Sequence, residues 1–306
     1  MEKNKYKSLG FKLLDIFYIV MMVLPIAVGI AIKILTEPLL EGINVTGARI
    51  FFTIPFVVQD IIISESQVNS ALVLVTIFFF CLYMTHGLSE KCELRRQHFA
   101  ELIVEKVDGL VRENMGEYFI GYAPFIIAIM ALSAFSSLLS LTGLFPPTSD
   151  INIVGGWAIL VFILITYYKM KCGPLNYLKS FTQPIALLAP INFISEFATP
   201  VSMAFRHYGN ILSGTVISVL LGSALAGLSA TVLGWLPGVL GEIPFLRVGI
   251  PAVLSIYFDV FSGCLQAFIF AMLTMLNVSG AFSPDEYAAY KRKKQERKNK
   301  KIKINN

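Results

Sequence analysis

The chain has 306 residues, of which 56% are hydrophobic and only 15% charged, with a mean hydropathy of +0.69; a soluble domain of this size could not bury so much apolar side chain, which excludes the soluble enzyme classes. The net charge of +5 does not point to nucleic acid, because the excess sits in a terminal run containing Lys291, Arg292, Lys293, Lys294, Arg297, Lys298, Lys300, Lys301 and Lys303, and a basic run after a last span marks the cytoplasmic side and favours anionic lipid heads.

The elements follow in chain order. Leu13 to Leu35, behind Lys3, Lys5, Lys7 and Lys12, predicts a first membrane span, since it is too long and lacks the small-residue cleavage site of a secretory signal. Thr36 to Ser70 carries Glu37, Glu41, Asp60 and Glu65 against Arg49 alone, the bias of an outer-face segment; its apolar pieces, such as Ile50 to Val58, are too short to cross and are expected in the interface. Ala71 to Leu88 predicts the second span. Glu90 to Glu113 mixes Lys91, Arg95, Arg96, Lys106 and Arg112 with spaced apolar residues, an amphipathic helix on the inner surface. Tyr118 to Leu144 and Ile153 to Tyr168 are the third and fourth spans, separated by a turn at Phe145-Pro146-Pro147-Thr148-Ser149-Asp150. An inner linker with Lys169, Lys171 and Lys179 follows. Pro184 to Gly280 then reads as a hairpin of two long helices broken by the Gly- and Pro-rich stretch Gly234 to Pro251. Its first arm, from about Pro190 to Leu233, is longer than one perpendicular span needs and must tilt, bend or protrude.

The expected fold is an all-α membrane protein of about six transmembrane helices, with a long tilted C-terminal hairpin and the inner-surface helix. Residues 1–69 form a leading span and outer segment, 70–285 the main transmembrane domain and 286–306 a basic cytoplasmic tail. Alternation of basic loops places both termini in the cytoplasm, in a multi-pass plasma-membrane protein. Cys81, Cys92, Cys172 and Cys264 have no metal-ligand spacing, so neither disulfide nor metal site is expected.

Deep in the long arm sits Arg206, which no protein environment deprotonates. At mid-bilayer it costs at least about 2.5 to 3.5 kcal/mol and needs a compensating partner, so it marks an ion pathway unless it pairs within its own chain or snorkels to a surface. Helix directions place its polar neighbours: with the chain inside before Pro190 and after Ser283, Glu196 and Ser202 lie on the inner side of Arg206, and Asn210, Ser213 and Thr215 on the outer side. The last helix returns inward, which sets Asp259 toward the outer face, Gln266 near mid-membrane and Asn277 toward the inner face. Asn210, Thr215, Asp259 and Gln266 are thus expected to converge on one aqueous pocket, with Glu196 lining another. Each has a duller reading. Asn210 can satisfy a helix carbonyl, Gln266 can be a helix–helix hydrogen bond, Glu196 can be a solvated boundary group, and His207 is expected to pack and not to relay protons.

The segment Arg206-His207-Tyr208-Gly209-Asn210-Ile211-Leu212-Ser213-Gly214 resembles the Arg-x-(Phe/Tyr)-Gly-Asn-x-x-(Ala/Ser)-Gly signature of subunit a of F-type ATP synthases. Pro146-Pro147-Thr148-Ser149-Asp150, Gln183-Pro184, and Leu265-Gln266-Ala267-Phe268-Ile269-Phe270 with Leu273-Thr274-Met275 support the likeness over about residues 55 to 285. The leading helix either lies outside the usual bacterial pattern or varies within it. The resemblance implies a non-catalytic stator subunit that forms two half-channels and loads and unloads c-ring carboxylates around Arg206, with Asn210, Thr215, Asp259, Gln266 and Glu196 along the ion path. It further implies c-ring proteolipids and a peripheral-stalk subunit b as partners, a proton or sodium ion as cargo, and no cofactor. Thr215 stands where many relatives carry an acid or histidine, which shifts weight to Asp259. The alternative is a secondary transporter, which predicts paired repeats with matching broken helices, and none is apparent. A membrane enzyme would need clustered catalytic groups, whereas His86, His98 and His207 are scattered.

Overall fold

The computed structural model describes residues 9–36, 47–56, 60–89, 94–182, 185–233, 253–254, 256–285 and 287–292. Gln183-Pro184, the Gly- and Pro-rich stretch 234–251, Cys92 and the tail beyond Arg292 lie outside them. Among the described residues, six helices are long and apolar enough to cross a membrane: Leu9–Thr36, Glu65–Thr85, Glu117–Thr142, Ile151–Lys171, Ala189–Val232 and Ile256–Gly280. The chain is therefore the multi-span α-helical protein that its hydropathy requires.

α1 (Leu9–Thr36) packs along α2 (Glu65–Thr85). α2 begins several residues before the expected Ala71, because its polar first turns are satisfied: Ser64 donates its backbone N–H to Gln67 Oε1 at 3.3 Å, Asn69 donates to the Phe145 carbonyl at 2.8 Å, and buried Ser66 donates to Asp150. The proline turn 145–150 is thus a structural tie between α2 and α5 (Ile151–Lys171), whose N-terminus Asp150 caps by accepting from Asn152 N at 2.9 Å. Between α1 and α2, strands β1 (Ile50–Ile54) and β2 (Ile61–Ser64) form an antiparallel hairpin. Ile50, Phe52, Ile54, Ile61 and Ile62 are exposed on it. Apolar pieces were expected here; strand pairing was not, and it supplies backbone partners that an apolar interface would withhold.

α3 (Arg95–Met115) is amphipathic as expected, burying Gln97, Val107, Val111 and Met115. Gly116, at φ 80°, turns the chain into a 3-10 turn, Glu117–Tyr122, and α4 (Ala123–Leu138). α6 (Pro174–Ser180) is short. α7 (Ala189–Leu233) has 45 residues, about 68 Å at 1.5 Å per residue, against a hydrocarbon core of about 30 Å. A π-helical segment, Ile256–Ser262, leads into α8 (Gly263–Gly280). The core lies where α3, α4, α5 and α8 meet, around fully buried Val111, Ile126, Val161, Phe270, Met275 and Val278. Outside it a belt of apolar side chains, among them Phe17, Val20, Phe78, Ile159 and Leu220, stays exposed. That belt is the surface a lipid solvent demands.

Two ends of the bundle are recognisable. At the hairpin end, Lys33 donates to the Gly143 carbonyl, and Glu65 N donates to the Arg49 carbonyl at 2.7 Å. At the opposite end, Arg96 donates to Asp15 Oδ1 at 2.7 Å and to the His86 carbonyl at 2.7 Å, and Ser279 donates to the Asn114 carbonyl at 3.3 Å.

Candidate functional site

α7 divides its residues between two faces by helical period. Met203, Ala204, His207, Ile211, Gly214, Gly222, Leu225 and Ser229 are buried against the chain, while Ser202, Phe205, Arg206, Ser213, Ile217, Leu220, Ala224 and Leu228 are exposed. The second set recurs at near 3.6-residue spacing, so it forms one stripe along the helix. Arg206 lies in that stripe, and among the described residues no carboxylate makes an ion pair with it. An arginine serving internal packing would be buried against a partner; this one is presented outward.

Two cavities flank it. The first, of about 400 Å³ at the hairpin end, is lined by Thr215, Ser218 and Asp259 together with Lys33, Arg49, Glu65 and Asn69. The second, also about 400 Å³, is lined by Glu196, Asn192, Ser195 and Thr199 of α7, Lys169 of α5 and Asn277 of α8. Along α7, Glu196 precedes Arg206 by ten residues and Thr215 follows it by nine, which is about 15 and 14 Å of axial rise. Each cavity therefore holds a carboxylate, and the two lie on opposite sides of the arginine.

Of the residues expected to converge, Thr215 and Asp259 share the first cavity, and Asn210 and Gln266 are not among its lining. Asn210 instead accepts a hydrogen bond at 2.9 Å from Ser262 Oγ, and Gln266 is buried in the bundle on α8. Asp259 sits within the π-helical segment. The wider helical turn resets the phase of the residues before α8, and such segments favour functional sites. Gly214 makes the close approach possible: a Cβ there would lie 3.1 Å from the Phe258 side chain.

In the second cavity the Lys169 ammonium donates to both oxygens of Glu196, at 2.7 and 2.6 Å. The Tyr177 hydroxyl donates to Oε1 at 3.5 Å. Burial, and then the Glu196 charge, push the Tyr177 phenol above its ordinary value, so it remains a donor at neutral pH. Sequence reasoning missed Lys169 and Ser262 as partners of Glu196 and Asn210, because both pairings depend on the register between helices distant in sequence. A shared depth for Lys169 and Glu196, each near the same end of antiparallel neighbours, was the available signal.

His207 is fully buried and makes edge-on ring contacts with Trp157 at 5.8 Å and Phe270 at 5.6 Å. Its Nε2 is 3.3 Å from Ser133 Oγ. That is a packing environment, as expected, and it fixes α7 against α4, α5 and α8 immediately beside Arg206. Among the described residues no group of His, Cys, Asp and Glu has the geometry to hold a metal ion.

Comparison with known proteins finds the family described as "ATP synthase A chain", whose model matches residues 67–279. The ATP synthase subunit a of Staphylococcus carnosus is 28% identical over 76% of this chain and 98% of its own length. That of Priestia megaterium is 33% identical over 72% of this chain and 93% of its own. A protein of Propionigenium modestum, named as the sodium ion specific subunit a, is 30% identical over 63% and 65%.

Proposed function

The chain belongs to the ATP synthase A chain family, and from that premise we propose that Arg206 is the fixed charge between two aqueous inlets through which ions reach and leave carboxylates on a turning ring of partner subunits. The protein is a non-catalytic, ion-translocating component of the membrane sector of an ATP synthase. The observation that carries the finer reading is the outward Arg206, without an ion-pair partner among the described residues, between two cavities that each hold a carboxylate.

The stripe holding Arg206 is the surface for the ring. Its small residues Ser202, Ser213 and Ala224 let a neighbouring helix approach closely, and an arginine at that depth needs a compensating anion from outside its own chain. A ring carboxylate arriving ionised supplies it, and the attraction is strengthened where water is scarce. On moving past Arg206 the carboxylate must be neutralised before it faces lipid, so it takes a proton or sodium ion from the cavity with Asp259 and Thr215. A carboxylate returning from lipid gives up its ion through the cavity with Glu196 and Asn277. Arg206 blocks direct passage of cations between the two. Basic residues before Pro190 and after Ser283 assign the Asp259 cavity to the outer face and the Glu196 cavity to the cytoplasm, with both termini inside. Asn210, tied to Ser262, holds α7 against the π-helical segment beside this path. The ring subunits, a peripheral-stalk subunit b and membrane lipid are the partners of this reading.

The test is Arg206→Ala in membranes stripped of the ATPase head. The reading requires passive ion flux to persist or rise while ATP-driven pumping by the whole complex stops, and normal pumping per ATP would overturn it.

A further inference from the structure

The matched family region begins at residue 67, yet the cavity around Asp259 is not closed by that region alone. Gly29, Ile32, Lys33 and Thr36 of α1 line it, with Arg49 from the segment that follows. α1 is seated closely. A Cβ at Gly29 would fall 3.0 Å from Leu72 and 3.1 Å from Leu144, and at the far end Asp15 accepts from Arg96 at 2.7 Å and contacts His86 Nδ1 at 2.9 Å. Phe11 stacks on the His86 ring at 4.4 Å. A helix held at both ends in this way is a fixed wall, and what it brings to the cavity is a lysine.

We propose that α1 completes the outer inlet and that Lys33, with Arg49, is a specificity-determining charge which sets the concentration of the transported cation at which that inlet loads. The proposal rests on reading the Asp259 cavity as the outer inlet. Among the described residues, the charged groups lining it are Lys33 from α1, Arg49, Glu65 from α2 and Asp259. Removing either cation makes the inlet more negative by one unit of charge. In a cavity of this size a unit charge changes the local concentration of a monovalent cation by about twofold to tenfold. The duller reading of Lys33, a hydrogen-bond donor that satisfies the Gly143 carbonyl, is separable, because glutamine keeps a donor and loses the charge.

The complete ATP synthase is reconstituted into liposomes with its ATPase head outward, so that the lumen corresponds to the outer side. ATP synthesis under an imposed potential is followed against luminal H⁺, or luminal Na⁺ if sodium supports synthesis. Lys33→Gln is expected to lower the half-saturating ion concentration by about twofold to tenfold at low salt. Lys33→Arg is expected to leave it in place, and the shift is expected to vanish at about 1 M inert salt, where screening acts within about 3 Å. An unmoved K33Q, or a shift that salt does not screen, overturns the proposal. Asp259→Asn separates the two levels: if it alters loading while K33Q does not, the inlet stands and the role of α1 falls. If D259N also leaves loading unchanged, the inlet reading itself fails. Should K33Q not assemble, Arg49→Gln removes the same charge from the same cavity and must give the same salt-sensitive shift, and an unmoved R49Q overturns the proposal equally.

Discussion

Ser262 Oγ donates to Asn210 Oδ1 at 2.9 Å, joining the π-helical segment that carries Asp259 to α7 one helical turn beyond Arg206. This bond couples the two arms of the hairpin at the depth where the candidate ion path changes sides. A π-helical segment is less regular than the helix it interrupts, so a bond fixing it to its neighbour has consequences for where Asp259 points.

Ser262→Ala and Asn210→Ala are each expected to slow ATP-driven pumping, with the assembled complex still present in the membrane. A net hydrogen bond is worth about 1 kcal/mol, so the slowing should be of the order of fivefold. The double variant should be little worse than either single one, because both remove the same interaction. Pumping rates per assembled complex check this, and independent, multiplying effects would show that the two side chains act separately.

The Lys169–Glu196 pair gives a second prediction. The Glu196 side chain is only 12% exposed and that of Lys169 31%, so the pair lies between the surface and buried cases, and breaking it should cost about 1 to 3 kcal/mol. Lys169→Met leaves a largely buried carboxylate with the Tyr177 hydroxyl as its remaining donor among the described residues. It is expected to lower the thermal midpoint of the purified complex and to slow ion release, and adding Glu196→Gln should recover part of the stability. Thermal unfolding in detergent and vesicle pumping assays measure the two effects, and an unchanged midpoint would show the pair to be as weak as a solvent-exposed one.

Much of this architecture is legible in the residues, and the boundary of legibility has physical causes. The spans follow from runs of apolar side chains that lipid alone can accommodate, and Arg206 stands out because its charge is permanent. Thr215 and Asp259 could be placed on one side of it, and Glu196 on the other, from the antiparallel sense of α7 and α8. Asn210 and Gln266 were expected in the same pocket as Asp259, and the structure sets them apart, with Asn210 held by Ser262 and Gln266 buried. Rotation about a helix axis decides such placements, and the π-helical segment changes that rotation without any local sequence signal. The seating of Lys33 over the same cavity was equally hidden, since it depends on contacts between residues as distant as Lys33 and Gly143.

A third prediction concerns access. Cysteines introduced at Asp259 and Glu196, in a background without the native thiols, should react with impermeant thiol reagents from opposite faces of the membrane: Asp259 from the outside and Glu196 from the cytoplasmic side. A cysteine at Asn305 should be unreactive from the outside of intact cells. Reaction of the first two from one face would remove the two-inlet arrangement, whatever the fate of Arg206.

The last prediction turns on the difference between removing a barrier and removing a relay. Arg206 is exposed on the outer stripe of α7, and its charge survives any burial that ring contact imposes. If Arg206 is the barrier proposed above, Arg206→Ala removes the charge that repels cations passing between the cavities, so passive flux through head-stripped vesicles should be maintained or increased while pumping by the whole complex is lost. Lysine is not expected to rescue it fully, because an ammonium can shed its proton when desolvated and presents no planar fork to a carboxylate. On the same proposal, Asp259→Asn leaves the barrier charge in place and removes a group that handles ions, so passive flux should fall. The two substitutions thus move one observable in opposite directions, which a general loss of assembly cannot do, since misassembly lowers both flux and pumping. If Arg206→Ala vesicles conduct no more than those of Asp259→Asn, the cavities are not separated by this arginine, and the permanent charge on α7 serves the packing of the ring and not the control of its ions.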